Sequence, residues 1–219
     1  MTKVLVSDPI DKAGIEILGQ VAQVDQKTGL SPKELVEIIG DYEALMIRSG
    51  TQVTEDVLNA ANKLKIIGRA GVGVDNVNVK AATQKGVLVV NSPGGNTIAA
   101  AEHSLALLLA ISRHVPQAHG STIKGGWDRK KYVGNELYKK CLGVVGLGKI
   151  GSHVAKVANA MGMNVIAYDP FISEERAQQM SVSLNSIEDL FKKADYVTLH
   201  LPRTPDTENL VGKNLLPTM

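Results

Sequence analysis

Gly146-Leu147-Gly148-Lys149-Ile150-Gly151 is the stretch of the 219-residue chain whose residue types and spacing point most directly to chemistry. It is a G-x-G-x-x-G run, a weak signal by itself in a chain with 21 glycines. Its setting gives it weight, because an apolar strand pattern over Leu142–Gly146 leads into it and a helical pattern over Ile150–Met161 leads out of it. In such a turn Gly146 permits the tight bend, Gly148 lets a pyrophosphate approach the backbone, and Gly151 lets helix and strand pack closely. The helix start then offers unpaired N–H groups and a partial charge of about +0.5 to the phosphates. Asp169 follows Gly151 by eighteen residues and ends the next expected strand, Asn164–Asp169. That matches the roughly 20-residue spacing of an acid that hydrogen-bonds a ribose hydroxyl. The bland alternative is a tight strand–helix turn followed by an ordinary strand-end Asp. A carboxylate at Asp169 would repel the extra phosphate of NADP, and neither Pro170 nor Phe171 supplies a cation, so NAD is the expected cofactor. His200, at a strand end before Pro202, is placed to line the cofactor cleft.

Two arginines form the second candidate. Arg48 closes the expected strand Ala44–Arg48, and Arg69 follows the strand Leu64–Gly68 at the start of Arg69-Ala70-Gly71-Val72-Gly73-Val74-Asp75. Ligands of open parallel sheets bind at the carboxyl ends of the strands. Two guanidinium groups there, beside a loop containing Gly71 and Gly73, make a clamp for a carboxylate or phosphate. A solvated or ion-paired arginine is the ordinary alternative for each taken singly. Trp127-Asp128-Arg129-Lys130-Lys131 could extend the same positive field or be a solvated connector. Ser92-Pro93-Gly94-Gly95-Asn96-Thr97 leads into a long helical pattern, with Asn96 or Thr97 as its cap. Glu102 and His103 are adjacent, and neighbours on a helix point about 100° apart, so they read as structural rather than as an acid–base pair. Cys141 has no base near it in sequence and reads as a packed thiol.

These groups need a scaffold, and short apolar runs alternating with helical patterns supply one. In the first half Lys3–Ser7, Ala44–Arg48, Leu64–Gly68 and Val87–Asn91 read as strands buried on both faces. Helices are expected from Ser31-Pro32, from Thr54 and over Val79–Lys85. Thr97–Val115 reads as one long helix that Pro116 kinks or ends. In the second half helices are expected near Glu174–Met180, from Ser186 to about Ala194, and again at the end of the chain, with Tyr196–Leu201 as a strand. The pattern predicts an α/β protein with two parallel-sheet domains. Their expected extents are 1–98 and 99–219.

Composition closes off other classes. Lys plus Arg number 24 against 22 Asp plus Glu, a net charge of +2, without the basic footprint of a nucleic-acid binder. With 44% hydrophobic and 21% charged residues the chain has the make-up of a globular protein. Its longest apolar run, Leu105–Ile111, falls far short of the ~20 residues of a membrane-spanning helix. The start of the chain does not read as a signal peptide. One cysteine excludes an internal disulfide and points to a reducing, cytoplasmic setting.

Taken together, GRAGVGVDN (Gly68–Asn76), NSPGGNTIAAAE (Asn91–Glu102), WDRKK (Trp127–Lys131), LGVVGLGKIG (Leu142–Gly151), YDP (Tyr168–Pro170) and ADYVTLHLP (Ala194–Pro202) make the chain resemble the D-isomer-specific 2-hydroxyacid dehydrogenase family along its whole length. The resemblance implies two flavodoxin-like and Rossmann-like domains, the second of them incomplete, with the active site in the cleft between them. It implies that Lys149, Ile150, Asp169, His200, Pro202 and Thr207 lie along NAD, with Val72 towards the nicotinamide. Arg48 and Arg69, with the loop through Gly73, would bind a substrate phosphate or carboxylate, and Asn96 would border the substrate. GRAGVGVDN with WDRKK favours the branch whose hydroxy acid is phosphorylated, and the family implies a homo-oligomer. The family's catalytic Arg, Glu and His match no residue of this chain, so the chain is expected to be a fragment, inactive alone. A hydroxyacid dehydrogenase of unphosphorylated substrates is the rival within the class. An NAD-sensing, corepressor-like module is the rival outside it.

Overall fold

The computed structural model describes residues 1–219. Contacts within the chain divide it into two units, Met1–Gly95 and Asn96–Met219.

The first unit is a five-stranded sheet of β1 (Lys3–Val6), β2 (Gln23–Gln26), β3 (Ala44–Ile47), β4 (Ile66–Arg69) and β5 (Leu88–Asn91). All neighbours are parallel, in the order β2-β1-β3-β4-β5. Successive side chains of a strand point to opposite faces, and both faces of β1 are used. Leu5 packs with Leu35, Ile39, Leu45, Ile47, Leu58 and Ile67 in one core. Val4 and Val6 join Ala22 in the other, under Ile15 and Leu18 of α1 (Lys12–Gly19). The helices α2 (Pro32–Ile38), α3 (Glu55–Ala60) and α4 (Val79–Gln84) start where a side chain accepts a backbone N–H: Ser31 with a full capping box, Thr54 and Asn78. The register places Ile47 opposite Arg69 and Arg69 opposite Asn91, so the carboxyl ends of β3, β4 and β5 lie side by side.

Two of these elements depart from what the sequence leads one to expect. The edge strand β2 is Gln-Val-Asp-Gln, too polar to read as a buried strand. Its formation depends on β1 offering a free ladder. The expected strand Leu64–Gly68 is displaced to Ile66–Arg69, because Leu64 enters the core as part of the preceding turn.

The second unit holds α5 (Thr97–Ser112), α6 (Val115–Thr122), β6 (Cys141–Val145), α7 (Lys149–Ala160), β7 (Asn164–Tyr168), α8 (Glu174–Gln179), β8 (Ser183–Leu184), α9 (Ile187–Lys193) and β9 (Tyr196–Leu199). Its parallel sheet runs β8-β7-β6-β9, which leaves β9 on the edge. Ala101 and Leu105 of α5 pack with Val154, Ala155 and Ala158 of α7 over Leu142 and Val144. Asp195 fastens β9 to β6: its carboxylate accepts from Cys141 N at 2.8 Å and from Lys140 Nζ at 2.9 Å. Those bonds hold the Asp195 carboxyl below the usual range. No helix is long and apolar enough to cross a membrane.

The helix expected over Thr97–Val115 ends at Ser112, and a second helix begins at Val115. Arg113 closes α5, His114 takes the left-handed conformation at φ 52°, and α6 begins with Pro116 in its first turn. Proline there sacrifices no hydrogen bond, since the first N–H groups of a helix are unpaired in any case. The expected helix at the end of the chain is also absent. Residues 204–218 form turns and one short 3-10 helix, Leu216–Thr218, in a stretch broken up by Pro205, Gly212 and Pro217.

Candidate functional site

The glycine turn sits where three strands of the second unit end together. Gly146 follows β6 with φ +95°, and its N–H donates to Tyr168 O at the end of β7 at 2.8 Å. On its other side His200, just after β9, donates its N–H to Val145 O at 2.8 Å. A Cβ at Gly146 would stand 2.6 Å from the His200 carbonyl, so conformation and space both demand glycine there. Gly148 is the N-cap of α7 and offers no capping side chain. A Cβ at Gly148 would meet no protein atom within 4 Å, so the space above the helix start is open. Open space, a helix start without a side-chain cap and backbone donors are what a diphosphate requires.

Asp169 stands one residue past β7. Its Oδ2 accepts the Leu147 N–H at 2.7 Å and its Oδ1 accepts the Phe171 N–H at 2.9 Å. The carboxylate is thereby oriented over the glycine turn, and its remaining lone pairs stay available to hydroxyl donors. His200 is partly buried, and its ring Nε2 lies 2.9 Å from Thr198 Oγ1. Burial pulls the imidazole below its ordinary pKa, so the neutral ring is favoured. Thr207 closes the loop after β9, accepting from Thr204 N at 2.8 Å and donating to Pro202 O at 2.6 Å. Its proton is engaged there, and any further partner meets it as an acceptor. Lys149 and Ile150 form the first turn of α7.

The arginines occupy neighbouring strand ends in the first unit. Arg48 comes directly after β3, is exposed, and places Nη1 3.5 Å from Pro9 O. Arg69 ends β4, and its side chain is only 13% exposed. Its Nε is buried without a partner, and Nη2 reaches Asp75 Oδ1 only at 4.0 Å. A guanidinium so enclosed has donor capacity that an anion would meet. Gly71 and Gly73 curve around it, and a Cβ at Gly71 would fall 2.7 Å from Nη1. The end of β5 supports that curve: Asn91 Nδ2 donates to Val72 O at 2.6 Å and Ser92 N to Gly71 O at 2.9 Å.

Asn96 belongs to the second unit, whereas Arg48 and Arg69 belong to the first. It is the N-cap of α5, but its side chain makes no capping bond, contrary to the expected Asn96 or Thr97 cap. Trp127 is exposed with Arg129 over its ring at 5.9 Å, and Arg129–Tyr132 is a short exposed 3-10 helix. Glu102 and His103 are exposed on α5. Burial pushes the Cys141 thiol up, which makes it a poor nucleophile. No group of three or more His, Cys, Asp or Glu gathers to hold a metal ion. Asp8, Asn76, Asn91 and the Leu147 amide support these sites without standing out in the sequence. The signal for Asp8 is its place directly after an apolar strand; for Asn76 it is its position closing the glycine loop.

The family described as D-isomer specific 2-hydroxyacid dehydrogenase, catalytic domain, matches residues 4–199. A D-3-phosphoglycerate dehydrogenase of Synechocystis sp. is 60% identical over 219 residues, all of this chain and 40% of that protein. One of Methanocaldococcus jannaschii is 51% identical over 220 residues, covering 100% of this chain and 42% of its own length. The chain therefore spans about two fifths of these relatives. A crystal structure of NAD+-bound 3-phosphoglycerate dehydrogenase from Entamoeba histolytica superimposes with a TM-score of 0.83 at 29% identity, over 100% of this chain and 68% of that one.

Proposed function

The chain belongs to the D-isomer specific 2-hydroxyacid dehydrogenase family, and from that premise we propose that the full-length protein is a D-3-phosphoglycerate dehydrogenase. It oxidises the C2 hydroxyl of 3-phospho-D-glycerate to the ketone of 3-phosphohydroxypyruvate, the reaction that opens the phosphorylated route to serine. NAD, when bound, would supply the acceptor for the C2 hydride, and the hydroxyl proton would leave to a base.

The observation that carries the proposal is the Leu147–Asp169 bond across a glycine turn whose helix start has no side-chain cap. The amides around Gly148 would hold the diphosphate, and Asp169 would accept from the ribose hydroxyls. The same carboxylate would exclude a ribose phosphate. His200, Pro202 and Thr207 would border the bound dinucleotide. In the first unit the enclosed Arg69 and the exposed Arg48 would bind and orient the acidic substrate. A phosphate carries roughly −1.5 to −2 at neutral pH, and two guanidinium groups suit that charge better than an uncharged side chain. The chain by itself would bind without turning over. The apolar helix α5, with Leu107 and Ile111 exposed, supports self-association of the whole protein. The lone, unreactive Cys141 fits a reducing cytoplasm.

The deciding experiment compares 3-phosphoglycerate with D-lactate and glycerate as substrates of the full-length protein, following NAD reduction. A strong preference for 3-phosphoglycerate is expected. Preference for an unphosphorylated acid would overturn the assignment.

A further inference from the structure

Both backbone polar groups of Arg48, and both of Thr51, are taken up by the same two buried side chains. Asp8, 6% exposed, follows β1 and accepts with one oxygen from Arg48 N at 2.7 Å and Thr51 N at 3.0 Å. Asn76, 4% exposed, comes from the loop after β4 and donates with Nδ2 to Arg48 O and to Thr51 O, each at 2.7 Å. Ser7 Oγ meets Thr51 Oγ1 at 2.8 Å beside them. Three strand-end loops are thus tied at one point, and only Arg48, Ser49 and Gly50 of the tied segment project into solvent.

Two details indicate that this is more than a turn held by convenience. Asn76 leaves its Oδ1 buried without a partner. Flipping the amide would set that oxygen against two carbonyl oxygens, so the orientation is dictated by the carbonyls of Arg48 and Thr51. At Gly50 a Cβ would lie 2.6 Å from Asp8 Oδ1, so the loop is drawn tightly over the carboxylate.

We infer that Asp8 and Asn76 are positioning residues, which hold the Arg48 peptide at both ends and thereby set where its guanidinium meets the acidic group of the substrate. The inference rests on the functional proposal above in taking Arg48 as a substrate contact. Both residues are buried beneath the loop, in a place to act without touching substrate. Both act through Arg48, an exposed side chain whose own bond to Pro9 O is long. For a flexible arginine the anchorage of its backbone decides how much freedom is lost on binding.

The test is a double-mutant cycle in the full-length protein, with 3-phosphoglycerate affinity measured by equilibrium binding. Asp8→Ala and Asn76→Ala are each expected to weaken binding about tenfold and to speed amide hydrogen exchange at Arg48 and Thr51. Asp8→Asn, which keeps an acceptor, should restore most of both. In an Arg48→Gln background the further loss from either substitution should vanish. Equal losses with and without Arg48, or undisturbed exchange at Arg48 and Thr51, would overturn the positioning role. If Arg48→Gln and Arg69→Gln both leave affinity unchanged, the assignment of the substrate site fails, and this inference with it. If Arg48→Gln weakens binding while the Asp8 and Asn76 variants bind normally, only the inference fails. Should Asp8→Ala not fold, Asp8→Asn and Asn76→Ala carry the same comparison.

Discussion

The Asp169 carboxylate accepts the Leu147 amide proton at 2.7 Å, which ties the acid at the end of β7 to the glycine turn after β6. The shape of the loop therefore depends on one side chain, the same one that the proposed function assigns to cofactor specificity. Asp169→Ala should weaken NAD binding by about ten- to a hundredfold, the loss of one or two hydrogen bonds to a charged group. It should also relax discrimination against NADP. Titration of both nucleotides checks this, and unchanged selectivity would remove the role assigned to Asp169.

Gly146 and Gly148 should separate folding from binding. Gly146→Ala forces a side chain into φ +95° and against the His200 carbonyl, and should lower stability by about 1–3 kcal/mol. Gly148→Ala meets no protein atom, so stability should stay within about 0.5 kcal/mol while NAD binding falls. Urea denaturation beside nucleotide titration measures both. Intact NAD binding in a folded Gly148→Ala protein would mean that the diphosphate does not approach there.

Arg69 should show the opposite pattern to a structural ion pair. Its Nε is unpartnered and its nearest carboxylate is 4.0 Å away, so Arg69→Met should fold with stability unchanged or raised. Affinity for 3-phosphoglycerate should fall at least tenfold, about 1.4 kcal/mol. A large loss of stability with unchanged affinity would return Arg69 to a purely structural role.

His200 predicts an acid-side weakness. Burial lowers its pKa in the folded state, so the unfolded chain takes up a proton more readily. The stability contribution is full above the unfolded value of about 6.5 and declines as pH falls from there towards the depressed folded value. The urea midpoint followed through that window should drop, and His200→Gln should flatten the decline. An identical pH profile in the variant would assign the effect elsewhere.

The edge strand β9 carries an exposed Leu199 and an unpaired ladder, an arrangement that invites association between chains. Leu199→Lys should reduce concentration-dependent light scattering by the 219-residue chain. Scattering that is the same in both would place the sticky surface elsewhere, with α5 the next to test.

The geometry of the glycine turn was legible in sequence because its parts are local. Strand, glycines, helix and acid follow one another from Leu142 to Asp169, and each choice answers to backbone geometry within a few residues. The alternation of short apolar runs with helical patterns likewise announced two parallel sheets, since parallel strands need crossover helices. Pro116 announced a break in the long helix, but the left-handed turn at His114, the new helix α6 from Val115 and the polar edge strand β2 were not legible. Least legible of all was the knot at Arg48. Asp8, Thr51 and Asn76 are far apart along the chain, and no spacing rule links an acid after β1 to an amide after β4. Sequence determined which residues are candidates to bind an anion or a dinucleotide. Tertiary structure decided which buried side chains hold them in place, because hydrogen bonds between strand-end loops exist only after the sheet has set its register.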